Sequence, residues 1–180
     1  GRLMVSSRVG TGHDIRRRGE ITTAGREILP AGTALGAVGL GTLASIGIDS
    51  ISCHRTPGVS LLTSGDELVE PGEPLGPGQI WNSNRYSVSA LVREAGAALI
   101  SSENVKDDRG ATVAAIERAL DSDLTVICGG VSVGDHDHVR AALAELGVEQ
   151  RFWGLALKPG RPTWFGQRGA SRVLGLPGNP

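Results

Sequence analysis

From Pro57 onward the chain alternates short apolar runs with longer amphipathic stretches, and that alternation leaves few folds open. Val59-Ser60-Leu61-Leu62-Thr63 predicts a buried strand. Asn84 to Ala95 predicts a helix behind an Asn/Ser cap, with Val88, Leu91, Val92 and Ala95 on one face. Gly96 closes it, and Ala97-Ala98-Leu99-Ile100 is the next strand. Asp107-Asp108 precedes a second helix that turns Val113, Ile116 and Leu120 inward. Leu124 to Cys128 reads as a third strand, Asp137 to Leu146 as a third helix closed by Gly147, and Val173 to Leu176 as a further apolar run. The expected class is α/β, a mostly parallel sheet with helices on both faces. Ligands of such sheets bind beyond the carboxyl ends of the strands.

Residues 1–55 differ from residues 56–180, with the boundary near Cys53–Pro57. Arg16-Arg17-Arg18-Gly19-Glu20 gives way to a small-residue segment, 33–46, that predicts a helix through Leu35, Val38, Leu43 and Ile46. Gly36, Gly39 and Gly41 weaken that helix. Their spacing mimics a dinucleotide loop, but no strand precedes it, so close helix packing is the better reading. The chain opens without an initiator Met and stops at Pro177-Gly178-Asn179-Pro180, where an α/β chain starts a helix. It therefore reads as part of a longer protein.

Composition narrows the function. The 18 Lys and Arg nearly cancel the 19 Asp and Glu, and there are only six aromatics (Trp 3, Phe 2, Tyr 1). Both facts argue against nucleic acid. No apolar stretch approaches the ~20 residues of a membrane span, and Cys53 and Cys128 cannot build a disulfide scaffold. A soluble, cytoplasmic protein is expected. Glycine, 27 of 180 residues, is about twice as frequent as usual; without a period, it should serve turns and ligand loops.

Three loops follow strands and could carry chemistry. They are Thr63-Ser64-Gly65-Asp66-Glu67, the glycine loop Gly129-Gly130-Val131-Ser132-Val133-Gly134-Asp135-His136-Asp137, and Lys158-Pro159-Gly160-Arg161-Pro162. The glycine loop offers backbone N–H groups to an oxyanion. It ends in carboxylates, which repel phosphate unless a divalent cation such as Mg²⁺ lies between, with Asp107 on its other side. Asp135 and Asp137 could equally cap the following helix, and Lys158 and Arg161 could be a solvated basic turn. His136 and His138 face different ways on a helix, which disfavours zinc. Cys128 reads as a small buried hydrophobe rather than a nucleophile.

Ser64-Gly65-Asp66-Glu67-Leu68, Gly78-Gln79-Ile80 with Asn84, Gly129 to Gly134, Lys158-Pro159-Gly160 and Leu176 to Pro180 occur here in one order. That series resembles the molybdopterin molybdenumtransferases, the gephyrin-like molybdenum insertases. Upstream, Gly12-His13-Asp14-Ile15-Arg16 and Gly19-Glu20 extend the resemblance to nearly the whole chain. It implies that 56–180 is a molybdopterin-binding α/β domain, and that 1–55 is the end of an inserted domain and part of a linking domain. A C-terminal β-barrel domain would be missing, leaving this piece inactive alone, and the full-length protein would be a homodimer. The implied reaction takes adenylylated molybdopterin and molybdate, inserts the metal, and releases AMP with Mg²⁺.

By that resemblance Asp107 and Asp137 would hold the metal, with Lys158 as the third catalytic group and a ligand contact. Gly129, Gly130 and Ser132 would cradle phosphate or pterin. Thr63, Ser64, Gly65, Asp66 and Glu67 would line the nucleotide side, with Arg161 and Asn179 completing the binding set. Arg161 stands where many members have Lys, Asn82 replaces a frequent acid, and Ile21 stands where an acid is common. Two rivals remain: a molybdopterin adenylyltransferase-type or related nucleotide-acting domain, and a non-catalytic gephyrin-like scaffold.

Overall fold

The computed structural model describes residues 1–2, 4, 6–130, 138–158 and 160–179, and these divide into two units, Gly1–Cys53 and His54–Pro180. In the first, the helix expected over 33–46 is shorter: α1 spans Ala37–Ser45. Thr33 is held in a turn by its N–H and its hydroxyl, both donating to the Pro30 carbonyl. Gly36 is extended and offers no capping side chain. At the far end the Gly47 N–H returns to the Ala44 carbonyl with φ +82°, which closes the helix.

The second unit is built on a six-stranded sheet. Its strands are β1 (Gly58–Ser64), β4 (Ala98–Val105), β5 (Leu124–Cys128), β6 (Glu149–Trp153), β7 (Trp164–Arg168) and β8 (Ser171–Leu176), in the order β4-β1-β5-β8-β7-β6. β1 pairs in parallel with β4 and β5, and β5 in parallel with β8. β7 opposes both β8 and β6, so it alone runs against the others. A small parallel pair, β2 (Leu68–Val69) and β3 (Ile80–Trp81), stands apart from this sheet. Helices α2 (Ser83–Glu94), α3 (Arg109–Ala119) and α4 (His138–Glu145) complete the unit.

Successive β1 residues face opposite sides, as the pleat requires. Leu62 packs with Ile116 of α3, Leu143 of α4, Ile127 and Val173 on one side. Leu61 packs with Val88 and Val92 of α2, Val126 and Cys128 on the other. Helices thus cover both faces, as the alternation predicts. Two inward assignments on α2 are corrected: Leu91 is 60% exposed and Ala95, at the C-cap, is exposed as well. The buried face is Val88, Ser89 and Val92, and the Ser89 hydroxyl satisfies itself on the Arg85 carbonyl one turn back. Ile116 of α3 and Leu120 at its C-cap are buried, and Val113 packs partly buried beside them.

Several strands differ from the sequence reading. β4 runs five residues beyond Ile100, because Ser101 to Val105 continue the ladder against Ser60 to Ser64. The run Phe152-Trp153-Gly154-Leu155-Ala156-Leu157, expected to lead as a strand into the Lys158 loop, is strand only to Trp153. There the Gly154 N–H turns back to the Thr163 carbonyl and begins a return toward β7. β2, β3 and β7 were not anticipated, being too short or too polar to give a period.

At the opposite edge of the sheet Asp123 ties three strand starts together. Its carboxylate accepts from the Gly58 N–H at 2.7 Å and from both Arg55 guanidinium nitrogens. Its backbone bonds the Gly58 carbonyl and the Arg172 N–H. The Arg55 bonds, then the Gly58 N–H, pull its pKa down to about 2 from an ordinary 3.8. A depressed carboxyl stabilises the fold above its unfolded pKa and loses that contribution as pH falls through the folded value. Acid unfolding should therefore weaken the protein between about pH 4 and pH 2. Asp123→Asn should lower Tm at neutral pH and remove that portion of the acid transition, as read by thermal melts across this range.

Candidate functional site

The parallel register puts the chemistry-bearing loops at one edge. Ser64 pairs with Val105, Thr63 with Cys128, and Cys128 with Leu176, so β1, β4, β5 and β8 end side by side. Beyond those ends lie Ser64–Glu67, Lys106–Asp108, Gly129–Gly130 and Pro177–Asn179. This is the ligand edge of a parallel α/β sheet.

The paired acids after β4 have separate tasks. Asp108 is the N-cap of α3, accepting from the Ala111 N–H at 2.8 Å. Asp107 points elsewhere: its Oδ1 accepts from the Ser64 hydroxyl at 3.2 Å, and its N–H donates to Asp66 Oδ1 at 3.2 Å. Ser64, Asp66 and Asp107 thus meet across two strand exits. No group of three His, Cys, Asp or Glu side chains forms a metal cage among the described residues. Asp107 with Asp66 beside it matches the one or two carboxylates Mg²⁺ takes when phosphate oxygens and water complete its shell.

Backbone geometry at the glycines is tight. Gly129 has φ +94°, and a Cβ there would lie 2.7 Å from the Ser64 carbonyl oxygen. Gly130 has φ +64°, and its Cβ would lie 2.5 Å from Val139 Cγ2 of α4. Only glycine lets β5 turn between β1 and α4 with bare backbone at the rim. Gly65, at φ +149°, gives its Cβ space to the Glu67 carboxylate, which folds over it.

Beneath the loops runs a buried hydrogen-bonded chain. Asn82, 1% exposed, caps α2 through Oδ1 on the Arg85 N–H and donates Nδ2 to Thr63 Oγ1 at 2.7 Å. Thr63, fully buried, donates its hydroxyl to Asn104 Oδ1 at 3.0 Å. Asn84 donates to the Gly178 carbonyl at 2.7 Å. Asn82 and Asn104 escaped the sequence reading as site supports; Asn82-Ser83-Asn84 ahead of a helix was the visible signal for Asn82, and no local pattern marked Asn104. Outside this chain, Glu70 accepts from Arg85 at 2.7 Å and Tyr86 at 2.9 Å, which fastens the β2 segment to α2. Those bonds, Arg85 first, hold the Glu70 carboxyl below its ordinary range.

Lys158 and Arg161 lie on the exposed return between β6 and β7, where the Leu155 N–H bonds the Arg161 carbonyl. β6 points the same way as β4, so this turn is at the same edge. It is at the far end, however: five strand spacings, about 24 Å, separate β4 from β6. The structure brings Asp107, Ser64 and Asp66 together, and places Lys158 and Arg161 across the edge from them. Nearby, the Arg140 guanidinium sits 5.6 Å over the Trp153 ring. Ser132, Asp135, His136 and Asp137 lie outside the described residues. Cys128 is 2% exposed and burial pushes its thiol up to about 11, which suits a packing residue and not a nucleophile.

A family model for a probable molybdopterin binding domain matches residues 60–180. Molybdopterin molybdenumtransferase of Haemophilus influenzae is 40% identical over 93% of this chain and 41% of its own length. That of Nostoc sp. is 37% identical over 99% of this chain and 42% of its own. The molybdopterin biosynthesis MoeA protein of Pyrococcus horikosii superposes with a TM-score of 0.68 at 34% identity, covering 81% of this chain and 36% of that one. The chain spans about two fifths of the length of these curated relatives.

The packing at Gly129 gives a direct test. Gly129→Ala forces a side chain onto φ +94° and against the Ser64 carbonyl, and should cost about 1–3 kcal/mol of stability. Chemical denaturation should show the loss; an unchanged midpoint would mean the β1 and β5 exits are not in contact.

Proposed function

The chain belongs to the family of probable molybdopterin-binding domains and matches molybdopterin molybdenumtransferases along nearly its whole length, and on that footing we propose that it serves molybdenum cofactor biosynthesis as the ligand-binding domain of a molybdopterin molybdotransferase. The substrates in this reading are adenylylated molybdopterin and molybdate; the metal is inserted at the dithiolene and AMP leaves. The observation that carries it is the meeting of Ser64, Asp66 and Asp107 beside the tight Gly129–Gly130 turn at one strand edge.

The division of labour follows from charge. Gly129 and Gly130, with Ser132, would cradle the phosphate. The Gly129 N–H is taken by the Leu176 carbonyl, so Gly130 and Ser132 are the donors in this reading, and Thr63 to Glu67 line the nucleotide side. Asp107, with Asp66 adjacent and Asp137 from the glycine loop, would hold Mg²⁺; when bound, the cation supplies Lewis-acid neutralisation of the phosphoanhydride. Lys158 and Arg161 face the anionic end of an extended ligand, and Asn179 closes the wall after β8. No covalent protein nucleophile is needed, which agrees with the burial of Cys128. The preceding segment, 1–55, is assigned to the inserted and linking domains, and the working protein to a cytoplasmic homodimer. The adenylyltransferase-type reading is less favoured because this segment also aligns with the molybdenumtransferases.

The test is AMP release measured by mass spectrometry when molybdate is added to adenylylated molybdopterin, using a protein that carries this chain within the length of its relatives. Release should depend on molybdate, and release without it, or none, would overturn the assignment. Asp107→Asn should slow release by about a hundredfold or more while leaving Tm nearly unchanged, since Asp108 and not Asp107 caps α3. Lys158→Ala should weaken binding of the adenylylated ligand by roughly 1–3 kcal/mol in calorimetry. Unchanged affinity would return Lys158 to the solvated surface.

A further inference from the structure

We propose that Asn82 and Asn84, at the start of α2, act as positioning residues that clamp the two strand exits flanking Gly129 and Gly130 and so set the width of the cleft there. This rests on the reading of that edge as the ligand site, and assigns the cleft's shape to a helix outside the phosphate-binding loops. β5 lies between β1 and β8. The sheet ladder stops at Thr63–Cys128 and Cys128–Leu176. Beyond it Gly129 touches both neighbours: its N–H donates to the Leu176 carbonyl at 3.0 Å, and it packs against the Ser64 carbonyl. The exits of β1 and β8 are therefore the neighbours on either side of Gly129.

The start of α2 grips both neighbours. Asn82 donates to Thr63 Oγ1, one residue before Ser64, and Asn84 donates to the Gly178 carbonyl, two residues after β8. The direction of the first bond is fixed. Asn82 Oδ1 is committed to the Arg85 N–H, so Nδ2 faces Thr63, whose hydroxyl accepts it and donates to Asn104 Oδ1 at 3.0 Å, with the Glu103 carbonyl farther off at 3.5 Å. A carboxylate at position 82 would accept from Thr63 instead, and would leave Asn104 Oδ1 without its donor. The amide at 82 and the amide at 104 thus form one matched set, buried where an unmatched partner is costly.

Asn84→Ala is the decisive variant, because Asn82 carries the helix cap and its loss could unfold the chain. Three readouts separate the possibilities: thermal unfolding, calorimetric affinity for AMP with Mg²⁺, and the backbone amide resonances of Gly129 and Gly130 without ligand. The variant should keep Tm within about 3 °C of the parent, shift both glycine resonances, and weaken AMP up to about tenfold. Glu94→Gln, at the other end of α2, should change none of them. Unmoved glycine resonances would overturn the clamp, as would a fall in Tm with AMP affinity intact. If the parent protein binds no AMP, the nucleotide reading fails, while the resonances still decide the clamp.

Discussion

The parallel pairing of β1 with β4 on one side and β5 on the other is the constraint from which the candidate site follows. Parallel ladders place every strand exit at one edge, and the register here ends the strands within a residue or two of each other. Ser64 and Asp107 are forty-three residues apart in sequence, yet they share a hydrogen bond because their strands stop together. The crossover helices α2 and α3 are the price of that arrangement, and both take part in it: Asp108 and Asn82, which cap them, stand directly beside site residues.

The edge is electrically divided. Acids collect after β1 and β4, the uncharged Gly129–Gly130 turn follows β5, and the bases Lys158 and Arg161 lie beyond β6. A compact anion could not meet both ends of a span of about 24 Å. An extended one with a phosphate near its middle could, with a cation reconciling its charge to Asp66 and Asp107. That charge distribution and the family membership support the one reading proposed above.

Much of this was legible in the sequence because hydrophobic periodicity reports burial directly. Leu61 and Leu62 must face opposite sides of a covered strand, and they do. Leu91 misled because Leu satisfies a helical pattern from either side of the apolar stripe, whereas Ser89 enters the core by bonding its own backbone. β7, written Trp164-Phe165-Gly166-Gln167-Arg168, has no clean alternation, since its stability comes from pairing on both sides. At the strand edge, Ser64, Asp66 and Asp107 could be singled out by residue type and by their place after apolar runs. The Thr63–Asn82–Asn104 chain could not, because a buried relay depends on distances between segments that no local pattern encodes.

The central claim is that ligand binds at the carboxyl edge, across the exits of β1, β4 and β5. Titrating the isotope-labelled chain with AMP and Mg²⁺, and following backbone amide resonances, tests it most directly. The account predicts that the largest changes fall on Ser64 to Glu67, Lys106 to Asp107, and Gly129 to Gly130. Changes concentrated instead around Arg55, Gly58 and Asp123, at the opposite edge of the same sheet, would contradict it.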